Sequence, residues 1–427
     1  MELASFLGLM VILMFVGLPI AIAIGATACI CIIYNGFPLT IVPDKFFAGM
    51  DSFVLMAIPF FMVAGEAMNQ AGVTKRLIDF ANILVGRFRG GLCYVNIIAS
   101  MIFAGITGAA VADISALGTI FIPSMEKQGY TRKYAAAVVA GSSIMGPIIP
   151  PSIVMVIYGA MTNTSVAAMF AGAIVPGVMI GLAQMVVVFV QARKRNFPTQ
   201  KIEFTPKRFA LAFRAAFLAL IMPLIILGGI LFGISTPTEA AAVAALYALV
   251  LGVFVYKMLT VKKFFEICKG ATYQYASLLV IMGSASILGW VLSRCQAHQV
   301  LLKFIFGYTD NPVGILMIVL VFLLFVGTWL ETGATIVLLA PTLATAMTQI
   351  GYHPVHFGIV MTVMANIGLL TPPLGVCLFA ASATGRLSVE EIVSEIWPFI
   401  GSAVVVVVIV GLFPEISLFI PRLLGLI

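Results

Sequence analysis

Charge is scarce in this chain. Of its 427 residues only 9% are Asp, Glu, Lys or Arg, while 62% are hydrophobic. Soluble domains carry about 25% charged residues, so a soluble globular protein is excluded. Disorder is excluded too, because it needs low hydrophobicity and high charge. Histidine is rarer still, at three residues. No HExxH, GxSxG or acidic metal cluster occurs, which argues against an intramembrane hydrolase. No GxxxxGK[ST] loop occurs and no polar loop is long enough for a nucleotide domain, which disfavours an ATP-driven pump. His353 and His356 are three apart in a predicted loop, with no Cys or carboxylate at ligand spacing, so no metal site is expected there. The six cysteines (Cys29, Cys31, Cys93, Cys268, Cys295, Cys377) form no CxxC and lie in or beside apolar runs. They read as small buried hydrophobes, not as a disulfide framework or a zinc site. The ten-residue alternation of an outer-membrane barrel is also missing.

What is present is a series of apolar runs of twenty residues and more, rich in Gly, Ala and Met. These make an all-α polytopic membrane protein. The first run, Leu3 to Tyr34, is too long for a signal-peptide core, and Met1-Glu2 supplies no basic flank. It reads as a membrane-spanning anchor. The net charge of +7 sits in a few short loops, as cytoplasmic retention of Lys and Arg predicts. It therefore points to the bilayer and not to nucleic acid.

The basic clusters set the topology. One holds Lys75, Arg76, Arg87 and Arg89; a second holds Lys127, Arg132 and Lys133. A third runs from Arg193 to Arg214, and a fourth holds Lys257, Lys262, Lys263 and Lys269. The apolar segment 92–125 lies between two basic clusters, so both ends are expected in the cytoplasm. It reads as a re-entrant helical hairpin whose middle, Ala104 to Asp113, contains glycines and a Thr suited to a tip lining a cavity. From Lys303 to Arg386 no Lys or Arg intervenes. The segment 313–347 is then flanked by outer loops near Tyr308–Pro312 and Gln349–His356, and reads as a second hairpin opening to the opposite face.

The two regions repeat. Gly129-Tyr130 recurs as Gly351-Tyr352, Gly146 as Gly368, Pro150-Pro151 as Pro372-Pro373 and Pro176 as Pro398, each at an offset of 222. Upstream of a short insertion, Pro123 matches Pro341 and Asp113 matches Glu331 at an offset of 218. Four spans, about 166–191, 214–234, 239–256 and 273–293, follow the first broken helix. An even number makes the second repeat start outside where the first started inside. Inverted repeats of this kind are characteristic of secondary transporters. The resulting division is 1–91 scaffold, 92–190 first transport repeat with broken helix 134–160, 191–312 cytoplasmic loop and further scaffold, 313–411 second transport repeat with broken helix 356–384, and 412–427 as the C-terminal end.

Each hairpin is followed by a helix that a diproline interrupts: Gly141 to Ser152, and Asn366 to Gly375. Proline removes a donor and clashes with the carbonyl one turn back, so each helix should unwind there. The carbonyl end of the first half is partly negative and the amide end of the second half partly positive. The sequence thus predicts one Na⁺ between each hairpin tip and its break, held by Thr107, Gly108, Ser142, Gly146 and Pro150 in one repeat. The other repeat offers Gly327, Thr328, Thr335, Asn366, Gly368 and Thr371. An anion is expected between the breaks at Ser143, Pro151, Ser152, Pro373, Leu374 and Gly375. Such hydroxyls also commonly bond the carbonyl one turn back. Asp113, Glu331, Glu239 and Glu66 are intramembrane acids, which either function directly or pair within the fold. No catalytic residue and no cofactor is expected; sodium serves as the coupling ion.

Three stretches resemble a known family: Gly146-Pro-Ile-Ile-Pro-Pro-Ser-Ile153, Leu370-Thr-Pro-Pro-Leu-Gly375 and Ser235-Thr-Pro-Thr-Glu-Ala-Ala-Ala242. They are similar to the large membrane subunit of tripartite ATP-independent periplasmic (TRAP) transporters, and the likeness covers nearly the whole chain. It departs at Cys377, where the family more often carries Asn. The resemblance implies a sodium-driven importer of an organic acid, of the C4-dicarboxylate or sialic acid class, in the bacterial inner membrane. It implies a separate small four-helix membrane subunit and a periplasmic substrate-binding protein as partners. It also implies an elevator motion and a fold similar to sodium/dicarboxylate carriers. An ion channel or a stand-alone sodium/carboxylate carrier is the alternative.

Overall fold

The computed structural model describes residues 3–199, 205–296 and 309–427. Met1-Glu2, the predicted outer loop at Tyr308 and part of the polar stretch from Arg193 to Arg214 lie outside these residues. Among the described residues every regular element is helical. Among the described residues, seven helices are long and apolar enough to cross a membrane: Phe53–Gln70, Val166–Lys194, Pro206–Leu231, Pro237–Val255, Val261–Arg294, Pro312–Trp329 and Val389–Leu412. The chain is thus a multi-pass membrane protein.

The run from Leu3 to Tyr34 is not one anchor. It divides into two helices, Leu3–Phe15 and Ile20–Tyr34. Gly17 takes a left-handed φ of +94° and Pro19 starts the second helix. Phe6 near the start of the first helix packs edge-on against Tyr34 at the end of the second, with centroids 5.8 Å apart. The two therefore fold back along each other. At 1.5 Å per residue each is roughly 20 Å long, short of a bilayer core of about 30 Å. An uninterrupted apolar count hides a break that only the Gly-Leu-Pro sequence signals.

Two spans also start earlier than the charge pattern suggests. Pro206–Leu231 includes Lys207, Arg208 and Arg214, and Val261–Arg294 includes Lys262, Lys263 and Lys269. Thr260 caps the latter, its hydroxyl accepting from the Lys263 amide at 3.3 Å. Basic side chains can ride a helix end while their charged heads reach the interface, so charge marks where a span leaves the lipid and not where the helix begins.

Two pairs of helices are joined by two-residue links. Gly91–Thr107 and Ala110–Lys127 meet at Gly108-Ala109; Pro312–Trp329 and Thr332–Gln349 meet at Leu330-Glu331. Each pair precedes an interrupted helix. The first consists of Arg132–Ser143 and Ile153–Thr162, the second of Pro354–Gly368 and Val376–Gly385. Both interruptions contain a cis diproline, Pro150-Pro151 and Pro372-Pro373.

The interrupted helices run antiparallel, as contacts at both ends show. Arg132 Nε, at the start of the first, donates to the Gly385 carbonyl at the end of the second, at 2.6 Å. Tyr158, near the end of the first, donates to the Pro354 carbonyl at the start of the second, at 3.0 Å. Beside Arg132, the buried Glu395 carboxylate pairs with Arg195 at 2.7 Å and Lys133 at 3.5 Å. That cluster ties together the start of the first interrupted helix, the end of Val166–Lys194 and the helix Val389–Leu412.

Candidate functional site

The breaks sit against the tips of their own helix pairs, and small residues make the approach possible. In the second repeat Gly368 and Gly327 are back to back: a Cβ on Gly368 would lie 2.5 Å from the Gly327 Cα. The Gly375 amide then donates to the Thr328 carbonyl at 3.1 Å, fixing the far side of the break to the tip. In the first repeat a Cβ on Gly146 would meet Asp113 Oδ2 at 2.7 Å and the Ser143 carbonyl at 3.2 Å. Gly108 lies equally close to the Pro151 carbonyl.

Asp113 is the most heavily buried charge-bearing group at this junction. It is fully buried in the first turn of Ala110–Lys127. Thr107, at the tip, donates to its Oδ1, while Oδ2 has no partner and points at the first break. An unpaired buried carboxylate oxygen is costly unless a cation or proton meets it. Glu331 occupies the matching place in the second pair and caps Thr332–Gln349, accepting from the Ala334 amide at 3.2 Å.

Most of the predicted hydroxyls donate to their own helix. Thr328 bonds the Phe325 carbonyl at 2.7 Å, Thr335 that of Glu331 at 3.1 Å and Thr371 that of Ile367 at 3.0 Å. Ser143 bonds Ala140 at 2.7 Å. Donating the hydrogen leaves the oxygen lone pairs free to accept, so back-bonding and ion ligation coexist in one hydroxyl. Ser142 also bonds its own helix, at the Val139 carbonyl at 3.1 Å, but has further partners. It is wedged against the first arm of its hairpin, where Asn96 Nδ2 donates to it at 2.7 Å and Ser100 at 2.9 Å. Asn366 likewise accepts from Thr332 at 2.8 Å and donates to the Thr362 carbonyl at 2.9 Å. These networks fasten each tip to its interrupted helix.

The two breaks differ in access. Ser152 is fully buried; it donates to the Pro147 carbonyl at 2.5 Å and accepts from the Met155 amide at 3.3 Å. With Pro150 and Pro151 also buried, the first break is closed. Pro373 and Leu374 are exposed at the second. Of the predicted residues, the structure therefore brings Thr107, Gly108, Gly146, Gly327, Thr328, Gly368, Thr371, Pro373 and Leu374 to the tip–break junctions, while Ser143 is buried and bonded to its own helix. Ser142 and Asn366 turn toward the hairpin arms.

Sequence reasoning missed the roles of Asn96, Ser100 and Thr332. Polar residues four apart in an apolar helix, as Asn96 and Ser100 are, signal interhelical hydrogen bonding. It also left Ser235–Ala242 without a physical reading. Thr236 caps Pro237–Val250, with Pro237 in the first turn and Glu239 completing a capping box through the Thr236 amide at 2.8 Å. Thr238 donates to the Phe53 carbonyl at 2.8 Å. Ala240, Ala241, Ala244, Ala245 and Ala248 are buried where this helix packs on Ala57–Gln70. Glu239 thus caps its own helix. Glu66 is exposed and accepts from Gln70 at 2.9 Å.

Residues 7–416 match the model of the tripartite ATP-independent periplasmic transporter, DctM component. The chain is 37% identical over 412 residues to the sialic acid TRAP transporter large permease protein SiaM of Vibrio cholerae, covering 96% of each. It is 34% identical to the C4-dicarboxylate TRAP transporter large permease protein DctM of Rhodobacter capsulatus, covering 98% of each. The fold is similar to that of the YdaH transporter of Alcanivorax borkumensis, with a TM-score of 0.62 at 13% identity over 88% of this chain and 87% of that one. The chain belongs to the DctM family of TRAP transporter large permeases, and it is a transporter subunit and not an enzyme.

Proposed function

We propose that this permease imports an organic acid anion, of the sialic acid or C4-dicarboxylate class, across the bacterial inner membrane in symport with Na⁺. A small four-helix membrane subunit and a periplasmic binding protein complete the system. The observation that carries the sodium reading is Asp113, whose free Oδ2 faces the carbonyls of a broken helix. That donor set of one carboxylate, a threonine hydroxyl and main-chain carbonyls suits a hard monovalent cation. Glu331 and Thr328 offer the equivalent set in the second repeat. The anion is placed at the exposed amide end of the second break, near Leu374.

The two helix pairs are re-entrant hairpins, and with the interrupted helices they move as one body in an elevator cycle. The antiparallel clamp at Arg132–Gly385 and Tyr158–Pro354 supports the single body. The second arm of the first hairpin leaves Val111, Ala112, Ser115 and Thr119 exposed. The second arm of the other hairpin packs on Val261–Arg294. This asymmetry corresponds to a state open to the cytoplasm. A cleft of about 580 Å³ remains on the opposite side, between Asn163, Thr345 and Ser293.

Moving one charge inward against an inside-negative potential costs about 2.3 kcal/mol per 100 mV. Two Na⁺ turn a monoanion into an inward-driven load, and a dianion needs a third. Uptake of labelled sialic acid or succinate into proteoliposomes holding both membrane subunits, with binding protein outside, tests this. Saturable uptake that requires an inward Na⁺ gradient is expected. Uptake indifferent to Na⁺, or current without organic acid, contradicts it.

A further inference from the structure

The tip of the first hairpin touches more than its own break. Gly65 is buried in Ala57–Gln70, a helix of the N-terminal scaffold. A Cβ on Gly65 would lie 2.8 Å from the Ile106 carbonyl oxygen and 3.2 Å from the Thr107 Cα. Small residues are what let helix backbones approach this closely in a membrane. A second scaffold helix, Pro206–Leu231, reaches the same tip. A Cβ on Gly105 would lie 3.2 Å from Pro223 Cγ. The carbonyls of the first break meet this stretch as well. That of Pro150 lies 3.5 Å from the same Cβ, and that of Pro151 lies 3.1 Å from a Cβ on Gly108. Residues 105–108 therefore touch two scaffold helices and the break together.

Thr107 is the residue in this stretch that donates to Asp113 Oδ1, and its Cα is what Gly65 abuts. The place where the scaffold stops the tip thus fixes the Thr107 hydroxyl, and through it the carboxylate whose other oxygen faces Gly146. The second repeat is built otherwise. A Cβ on Gly327 would first meet Ala365 and Gly368 of its own break. One on Gly333 would find scaffold Leu278 at an ordinary contact distance of 3.5 Å.

We propose that Gly65, with Pro223 as a second stop, is a positioning residue for the first cation site, an assignment that rests on the sodium reading of Asp113. By admitting the Ile106–Thr107 backbone to contact, the scaffold sets the Thr107 hydroxyl against Asp113. A methyl group at position 65 meets backbone and no flexible side chain, so Ile106 and Thr107 must move. Alanine is the better helix former, so the change favours Ala57–Gln70 itself and harms only the contact.

Gly65→Ala and the wild type are compared for uptake in proteoliposomes holding both membrane subunits, with binding protein outside. The half-saturating Na⁺ concentration is expected to rise by about fivefold or more. The half-saturating concentration of organic acid at saturating Na⁺ stays the same. Gly228→Ala adds the same methyl where nothing lies within 4 Å and leaves both values unchanged. Pro223→Ala removes the second stop without adding bulk and also raises the Na⁺ requirement. An unchanged Na⁺ titration in folded Gly65→Ala, or in Pro223→Ala where the first variant does not fold, overturns the inference while wild-type uptake still follows Na⁺. A rise in both half-saturating concentrations, or a lower maximal rate alone, marks general damage and overturns it too. Wild-type uptake indifferent to Na⁺ overturns the sodium reading and this inference with it.

Discussion

Asp113 was legible in the sequence as an acid at membrane depth, but its role was not. Nothing in the order of residues states that Thr107 takes one oxygen and leaves the other facing Gly146. Asp113→Asn keeps the shape and removes the charge. A hydrogen bond to a charged group is worth about 1.5–3 kcal/mol, so the half-saturating Na⁺ concentration for uptake is expected to rise by about tenfold or more. An unchanged sodium titration would remove Asp113 from the site. The glycine match of 146 to 368 was also visible as a repeat, and the structure supplies its reason in the second half. Gly368→Ala would force Gly327 away at 2.5 Å. Overpacking of this kind costs about 1–3 kcal/mol, so a lower unfolding temperature in detergent and loss of uptake are expected together. Ser142 shows the limit of residue-level reading. A serine before a diproline looks like a ligand, and its bonds to Asn96 and Ser100, distant in sequence, could not be read from the chain.

Elements were read well where composition changes and poorly where it does not. The diproline interruptions, the helix-pair links and the long apolar helices are marked by Pro, Gly and charge. The division of Leu3 to Tyr34 is marked only by Gly17 and Pro19 within an unbroken apolar run, and a hydropathy count passes over it. The start of Pro237–Val250 could have been read, because Thr-x-x-Glu before an apolar run is a capping box. Its cap predicts a modest effect. Thr236→Ala should lower stability by about 1 kcal/mol, seen as a drop of a few degrees in the unfolding midpoint, with sodium affinity unchanged. A shifted sodium affinity would place this motif in the transport chemistry instead.

In the whole molecule the two repeats are locked head to tail by contacts at both ends. At one end Glu395 holds Arg195 and Lys133, whose side chains remain 41% and 44% exposed. Solvent screening therefore limits the contribution of each pair to about 1 kcal/mol or less. Glu395→Gln is expected to lower the unfolding midpoint slightly and to slow uptake, by loosening the joint between the repeats. Full-rate uptake by this variant would show that the joint does not couple them. Such long-range partners lie 196 and 253 residues apart in Tyr158–Pro354 and Arg132–Gly385. The 222-residue offset pointed to the symmetry, while the pairing itself is a property of the packed fold.

The central claim is that the two halves enter the bilayer from opposite faces. Lys127 and Gln349 are equivalent, exposed positions of the two repeats. Lys127→Cys and Gln349→Cys, each in a background without the six native cysteines, can be labelled in spheroplasts with a membrane-impermeant maleimide. The inverted arrangement predicts rapid labelling of Gln349→Cys in intact spheroplasts and labelling of Lys127→Cys only after they are ruptured. Labelling of both before rupture, or of neither, would contradict the account.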